Sequence, residues 1–149
     1  MVDRLTPQRR SWLMSRVGRK DTGPEMVVRR LLFREGYRFR LHRKDMPGSP
    51  DLVLPRYRVA IFVHGCFWHR HAGCSKATTP KTRMEFWSNK FAQNIARDKA
   101  NEDQLAERGW RTIVVWECET KEMGELREKL CAELEDAKRT IGEPHAARR

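Results

Sequence analysis

The spacing of apolar residues changes several times along the chain, and each change predicts an element. Val27, Val28, Leu31 and Leu32 recur at helical intervals. They predict a helix to about Glu35, opened by the T-x-x-E capping box Thr22–Glu25 with Pro24 near its first turn and stopped by Gly36. Tyr37 to His42 alternates as a strand does, Met46-Pro-Gly-Ser-Pro50 breaks the chain, and Asp51 to Leu54 begins a second strand. After a turn at Pro55-Arg56, Tyr57 to Val63 is a mostly apolar run of β-formers, expected to be a central strand. A polar loop then reaches Lys81, and a second capping box, Thr82–Glu85, introduces a long helix that carries Phe86, Trp87, Phe91, Ile95 and Leu105 and ends at Gly109. Trp110 to Trp116 predicts a last buried strand, with both tryptophans assigned to the core. Glu122 to Lys138 predicts an amphipathic helix, with Leu126, Leu130 and Leu134 inward and Cys131 as a small buried hydrophobe.

The order helix, three strands, helix, strand, helix fits an α/β fold, a mixed central sheet flanked by helices. Residues 21–140 are expected to form a single domain. Residues 1–20 read as a basic arm or short helix, and 141–149 as a disordered tail. At 149 residues, 39% of them hydrophobic, the chain is long enough to bury one real core.

Charge narrows the choice of partner. Thirty-one Lys and Arg against 20 Asp and Glu leave +11, which points to a polyanion, most often nucleic acid. The six Lys and Arg between Arg4 and Lys20 suit phosphate contacts. No apolar run approaches the roughly 20 residues that span a bilayer, and the N-terminus lacks a secretory h-region, so a cytoplasmic protein without a membrane partner is expected. In that reducing compartment, four cysteines argue against a disulfide framework, and Cys66, Cys74 and Cys118 need another explanation.

The chemistry concentrates just after the predicted central strand, in Val63-His64-Gly65-Cys66-Phe67-Trp68-His69-Arg70-His71-Ala72-Gly73-Cys74. Cys66, His71 and Cys74 offer three zinc-type ligands, and Cys118 at the end of the last strand offers a fourth if the two strands are neighbours. A Cys3His tetrahedron leaves no open position, so such a site is structural. His69 is a competing ligand. Upstream, Pro50-Asp51 starts a strand, and His64 lies at the end of the next. A carboxylate that holds a divalent cation beside groups that orient or deprotonate water is what phosphodiester hydrolysis needs. Plainer roles stay open for each residue: Glu25 as a helix cap, His64 as a buried core histidine, Asp98 in a solvated row with Asn94 and Glu102, Trp87 packed on Phe91, and Met14 in helix packing.

Three segments together carry a resemblance: PGSPDLVLPRYRVAIFVHGCFWHRHAGC, TRMEFWSNKFAQNIARD and GWRTIVVWEC. Over residues 8 to 120 the chain resembles the very short patch repair endonucleases. The resemblance implies a fold like that of type II restriction enzymes, catalytic Mg²⁺, one structural Zn²⁺, and nicking of duplex DNA on the 5′ side of the thymine in T:G mismatches left by deamination of 5-methylcytosine. It implies Asp51 and the Val63 backbone carbonyl as Mg²⁺ ligands, His69 as general base, and Glu25 and His64 as holders of metal-bound water. Asp98 matches a further active-site acid, and Cys66, His71, Cys74 and Cys118 match the zinc ligands. Phe67, Trp68 and Trp87 are implied to intercalate at the mismatch, with Met14 entering from the opposite groove. A monomer is expected, with downstream repair proteins as further partners.

Two departures stand out. Val63 occupies a place where the family often has Thr, which a carbonyl ligand tolerates. The E-x-K pair of related restriction enzymes is absent, with Phe62 and His64 in those places. Two other functions fit the same residues: a restriction-type enzyme that cuts both strands, or a zinc-stabilised DNA-binding module without catalysis.

Overall fold

A computed structural model describes residues 23–75, 77–78 and 80–142. The basic arm with Met14, and the tail from residue 143, lie outside the described residues. Helix α1 (Gly23–Arg34) leads into β1 (Arg40–Leu41), β2 (Leu52–Leu54) and β3 (Val59–His64). Helix α2 (Met84–Glu107), β4 (Arg111–Trp116) and α3 (Met123–Gly142) follow. The sheet order is β1-β2-β3-β4, with the first three antiparallel and β4 parallel to β3. This is the mixed α/β sheet expected.

Alternation along the strands divides the core into two. Leu52, Leu54, Val59, Ile61, Ile113 and Val115 face α1 and α3, where Val28, Leu31, Leu32, Leu126, Leu130 and Leu134 close the larger cluster. Val53, Ala60 and Phe62 face the other way and meet Met46, Leu105 and Trp110. Each fully buried Leu or Ile contributes roughly 1.5–3 kcal/mol of apolar transfer, so the α1–α3 side carries most of the stability.

The second side is thinner, because the inner stripe of α2 is largely polar. Trp87, Phe91, Asn94, Asp98, Asn101 and Leu105 recur at spacings of three and four, and only Phe91, Asn94 and Leu105 are buried. Phe86 and Ile95, also carried by this helix, flank that stripe and are about half exposed.

Several boundaries differ from expectation for local reasons. The predicted strand Tyr37–His42 shrinks to Arg40–Leu41, because Tyr37 is drawn into the core and His42 adopts a left-handed φ of 47°. Tyr57 falls in a 3-10 turn (Pro55–Tyr57), and β3 runs on to His64. The Thr82–Glu85 capping box does not form: Arg83 is the N-cap of α2, with a left-handed φ of 52° and no side-chain cap. Helix α3 continues past Lys138 to Gly142. Cys131 is partly rather than fully buried against the larger cluster.

Candidate functional site

The parallel register aligns the C-terminal ends of two strands, with His64 opposite Trp116. Two residues beyond each, Cys66 and Cys118 therefore fall side by side. From Gly65 the chain winds tightly: the His69 amide donates to the Gly65 carbonyl, that of His71 to Cys66, and that of Cys74 to His71. These turns bring His71 Nδ1 to 3.7 Å from Cys66 Sγ and 3.4 Å from Cys118 Sγ. The ligand atoms of Cys66, His71, Cys74 and Cys118 all lie within 4.8 Å of one another.

A tetrahedral zinc with N and S ligands has N···S edges of roughly 3.6 Å, so spacing and donor type both fit such an ion. The acid–base state agrees. Burial, then the neighbouring Cys118 and Cys74, push the Cys66 thiol up to about 11. Thiols packed in this way stay protonated until a soft cation displaces the protons.

A second cluster forms where α1 meets the β1–β2 hairpin. Glu25, only 2% exposed, sits in the first turn of α1 and takes both the Arg29 guanidinium and His42 Nε2, the latter at 2.8 Å. The pairing of Leu41 with Leu52 places His42 beside Asp51, and its amide donates to the Asp51 carbonyl. Asp51 Oδ2 accepts the Val63 N–H at 2.7 Å, which ties the carboxylate to the end of β3. The ligand atoms of Glu25, His42 and Asp51 fall within 4.8 Å of one another. Burial pushes Asp51 up to about 6, and the facing Glu25 adds to the rise, while the Val63 amide and His42 oppose it. Two carboxylates converging out of water repel, and a hard divalent cation offsets that repulsion. The donors therefore fit a divalent ion.

The third group lies on the α2 side of the same strand end. His69 Nδ1 donates to Asp98 Oδ2 at 2.6 Å, so the ionised carboxylate fixes the tautomer and leaves Nε2 as an acceptor. The His64 ring stacks on His69 with centroids 3.8 Å apart and planes within 5°. Burial, then the neighbouring His69 imidazole, hold His64 down to about 4, so it is neutral at pH 7. A cleft of about 240 Å³ opens beside the pair, bounded by Phe62, Ile95, Lys99 and Trp116.

The other aromatic residues form a cluster of their own between the loop and α2. Phe67 is partly buried, with its centroid 5.1 Å from Trp68, 5.8 Å from Trp87 and 5.2 Å from Phe91. Trp68 is 42% exposed, and its carbonyl is held by the buried Asn94 side chain at 3.1 Å. Trp87 does pack on Phe91, at 5.7 Å, and at the same centroid distance it also meets Trp68.

The structure thus gathers the residues predicted from sequence into three groups and one aromatic cluster, Met14 aside. It removes Trp116 from the core: the indole stacks on His71 at 4.3 Å and meets His64 edge-on at 5.4 Å, bridging the thiol cluster and the histidine pair. His42 and Asn94 belong to the site too, and sequence reasoning assigned neither to it. The signal for His42 was the hairpin pairing around Met46–Pro50, which sets it opposite Asp51. Asn94 shares the helical stripe of Phe91 and Asp98.

Carboxylates and an oriented imidazole at the end of a sheet suit a hydrolase that acts on phosphodiesters, and a strongly basic chain suits DNA. The family model described as DNA mismatch endonuclease Vsr matches residues 2–76, half of the chain. A Type II nicking enzyme of Xanthomonas oryzae is 54% identical over 130 residues, covering 87% of this chain and 95% of its own. One of Neisseria meningitidis is 42% identical, covering 92% and 99%. The DNA mismatch endonuclease Vsr of Escherichia coli is 38% identical, covering 89% and 85%. The chain belongs to the Vsr family and is a DNA-nicking endonuclease. No helix among the described residues is long and apolar enough to cross a membrane.

The Asp51 shift has a measurable consequence for stability. Below the unfolded value of 3.8, Asp51 is protonated in both states and costs nothing. As pH rises through the folded value of about 6, the buried carboxylate ionises and that stability is lost. Asp51→Asn is therefore expected to stabilise the metal-free protein at pH 8 by on the order of 2 kcal/mol, with the gain vanishing below about pH 4. Urea unfolding in chelator at both pH values checks it.

Proposed function

We propose that this enzyme is Mg²⁺-dependent and nicks one strand of duplex DNA 5′ to the thymine of T:G mismatches produced by deamination of 5-methylcytosine, opening very short patch repair. One observation carries the hydrolytic reading: the converging Glu25–Asp51 carboxylates are tied to the end of β3 through the Val63 amide, and the His69–Asp98 pair is stacked on His64 at the same strand end. A protein that only bound DNA would have no need of two converging carboxylates and an oriented imidazole. Family membership and the similarity to relatives named for mismatch or nicking activity support the substrate.

Asp51 and the Val63 carbonyl would hold Mg²⁺, which would supply positive charge at the scissile phosphate. Glu25 and His64 orient water beside it. His69 Nε2 takes the proton of the attacking water, and Asp98 keeps the imidazole in that tautomer and stabilises the imidazolium. Cys66, His71, Cys74 and Cys118 would hold Zn²⁺, which would keep the loop in shape. Phe67, Trp68 and Trp87 enter at the mismatch, where opening a base step costs less, and Met14 enters from the other groove. The basic arm of residues 1–20 contacts phosphates. The enzyme acts as a monomer in the cytoplasm.

Matched and T:G duplexes incubated with and without Mg²⁺ test the reading. One-strand cleavage of the T:G duplex that requires Mg²⁺ is expected. Cleavage of both strands, or equal nicking of matched DNA, overturns it. His69→Ala is expected to lower nicking roughly 10²–10⁴-fold while mismatch binding, read by gel shift, stays within about threefold. Cys118→Ser is expected to lose bound zinc by elemental analysis and to impair both binding and cleavage, because the loop carries residues for each.

A further inference from the structure

Phe86 is a large ring that the fold leaves at the surface. It is 47% exposed, one position off the inner stripe of α2, and Met84 beside it is 60% exposed. Its centroid lies 5.3 Å from Trp87, nearly perpendicular, and Trp87 lies 5.7 Å from Trp68. The rings therefore form one continuous row, Phe86–Trp87–Trp68, with an exposed member at each end. The Arg83 guanidinium covers a face of Phe86, 4.5 Å from its centroid.

We propose that Phe86 is a further base-stacking residue, which receives the nucleobase beside the step opened by the Trp68–Trp87 wedge, with Arg83 as its exchangeable cover. This rests on the mismatch reading above. The row is too long for one step: base rise along a strand is about 3.4 Å, whereas neighbouring ring centroids here are more than 5 Å apart. A ring at the far end, nearly perpendicular to Trp87, thus meets the displaced base of the adjacent pair rather than the wedged step. The partner chemistry follows from the pair. A nucleobase offers a π face to the phenyl ring, and the backbone phosphate attracts the guanidinium off that face. Arg83 protects the ring from water in the free protein and becomes a phosphate contact in the complex. Trp68 at the other end has no guanidinium over its face among the described residues.

The test uses T:G duplexes with 2-aminopurine at the base pair on one side of the mismatch or on the other. Wild-type enzyme is expected to raise the fluorescence on at least one side. Phe86→Ala is expected to reduce that rise and to weaken mismatch binding roughly tenfold. Phe86→Tyr is expected to restore both, and Phe86→Leu, which keeps apolar bulk without a flat face, is not. Arg83→Ala is expected to lower the slope of log affinity against log salt by about one. Phe86 is half exposed, so equal thermal midpoints are expected for all variants. A wild-type rise that survives in Phe86→Ala, or is restored by Phe86→Leu, overturns the stacking role and leaves the wedge standing. No rise with wild type on either side overturns both.

Discussion

The parallel pairing of β3 with β4 is the constraint on which the rest depends. Its register, Val63 to Val115 and His64 to Trp116, brings two strand ends level. Level ends set Cys66 against Cys118, although 52 positions separate them in the chain. A one-residue slip would move every side chain of one strand to the other face. Val115 would then leave the leucine-rich cluster, and Cys118 would turn away from Cys66. The apolar core and the candidate metal centre therefore fix the same register, one through burial and the other through ligation.

The same alternation distributes the chemistry. Along β3, Val59 and Ile61 point to the α1–α3 side, while Ala60, Phe62 and His64 point toward α2. His64 thus continues a core stripe into the cleft, and Phe62 forms its floor. The other wall comes from the polar stripe of α2, where Asp98 reaches His69 and Asn94 reaches the Trp68 carbonyl. A helix with so little buried apolar surface is weakly held by burial. The aromatic cluster and these two hydrogen bonds supply much of its attachment, so the groups that form the site also dock the helix.

Legibility in the sequence followed the length of each pattern. The apolar runs of β3 and β4 and the 3–4 spacing of α1 and α3 are long and unambiguous, and those elements stand where expected. The capping box at Thr82 misled because a T-x-x-E match is local, whereas Arg83 takes a left-handed conformation that no side-chain pattern announces. The helix of Phe86 and Ile95 was legible but its face was not, because hydrophobicity alone does not assign a face, and the inner stripe of α2 is defined by Asn94, Asp98 and Asn101 as much as by Phe91. Trp116 read as core because it ends a buried strand, yet a strand end is where a ring can touch His64 and His71 together. His42 escaped notice because its position depends on hairpin register rather than on any motif.

The histidine stack explains why the departure from E-x-K is tolerable chemistry. Rings 3.8 Å apart cannot both be charged at small cost: two unit charges at about 4 Å repel by roughly 4 kcal/mol at an effective dielectric of 20. Burial keeps His64 neutral, with its proton affinity pushed down to about 4, so only one charge need be accommodated. On the proposed mechanism that charge develops on His69 as it takes the proton from water, and Asp98 at 2.6 Å offsets it. A lysine in place of His64 would put a fixed cation against the imidazole and oppose that proton uptake. A neutral ring in the same place packs flat against His69 and, on that proposed mechanism, leaves the imidazole free to become positive.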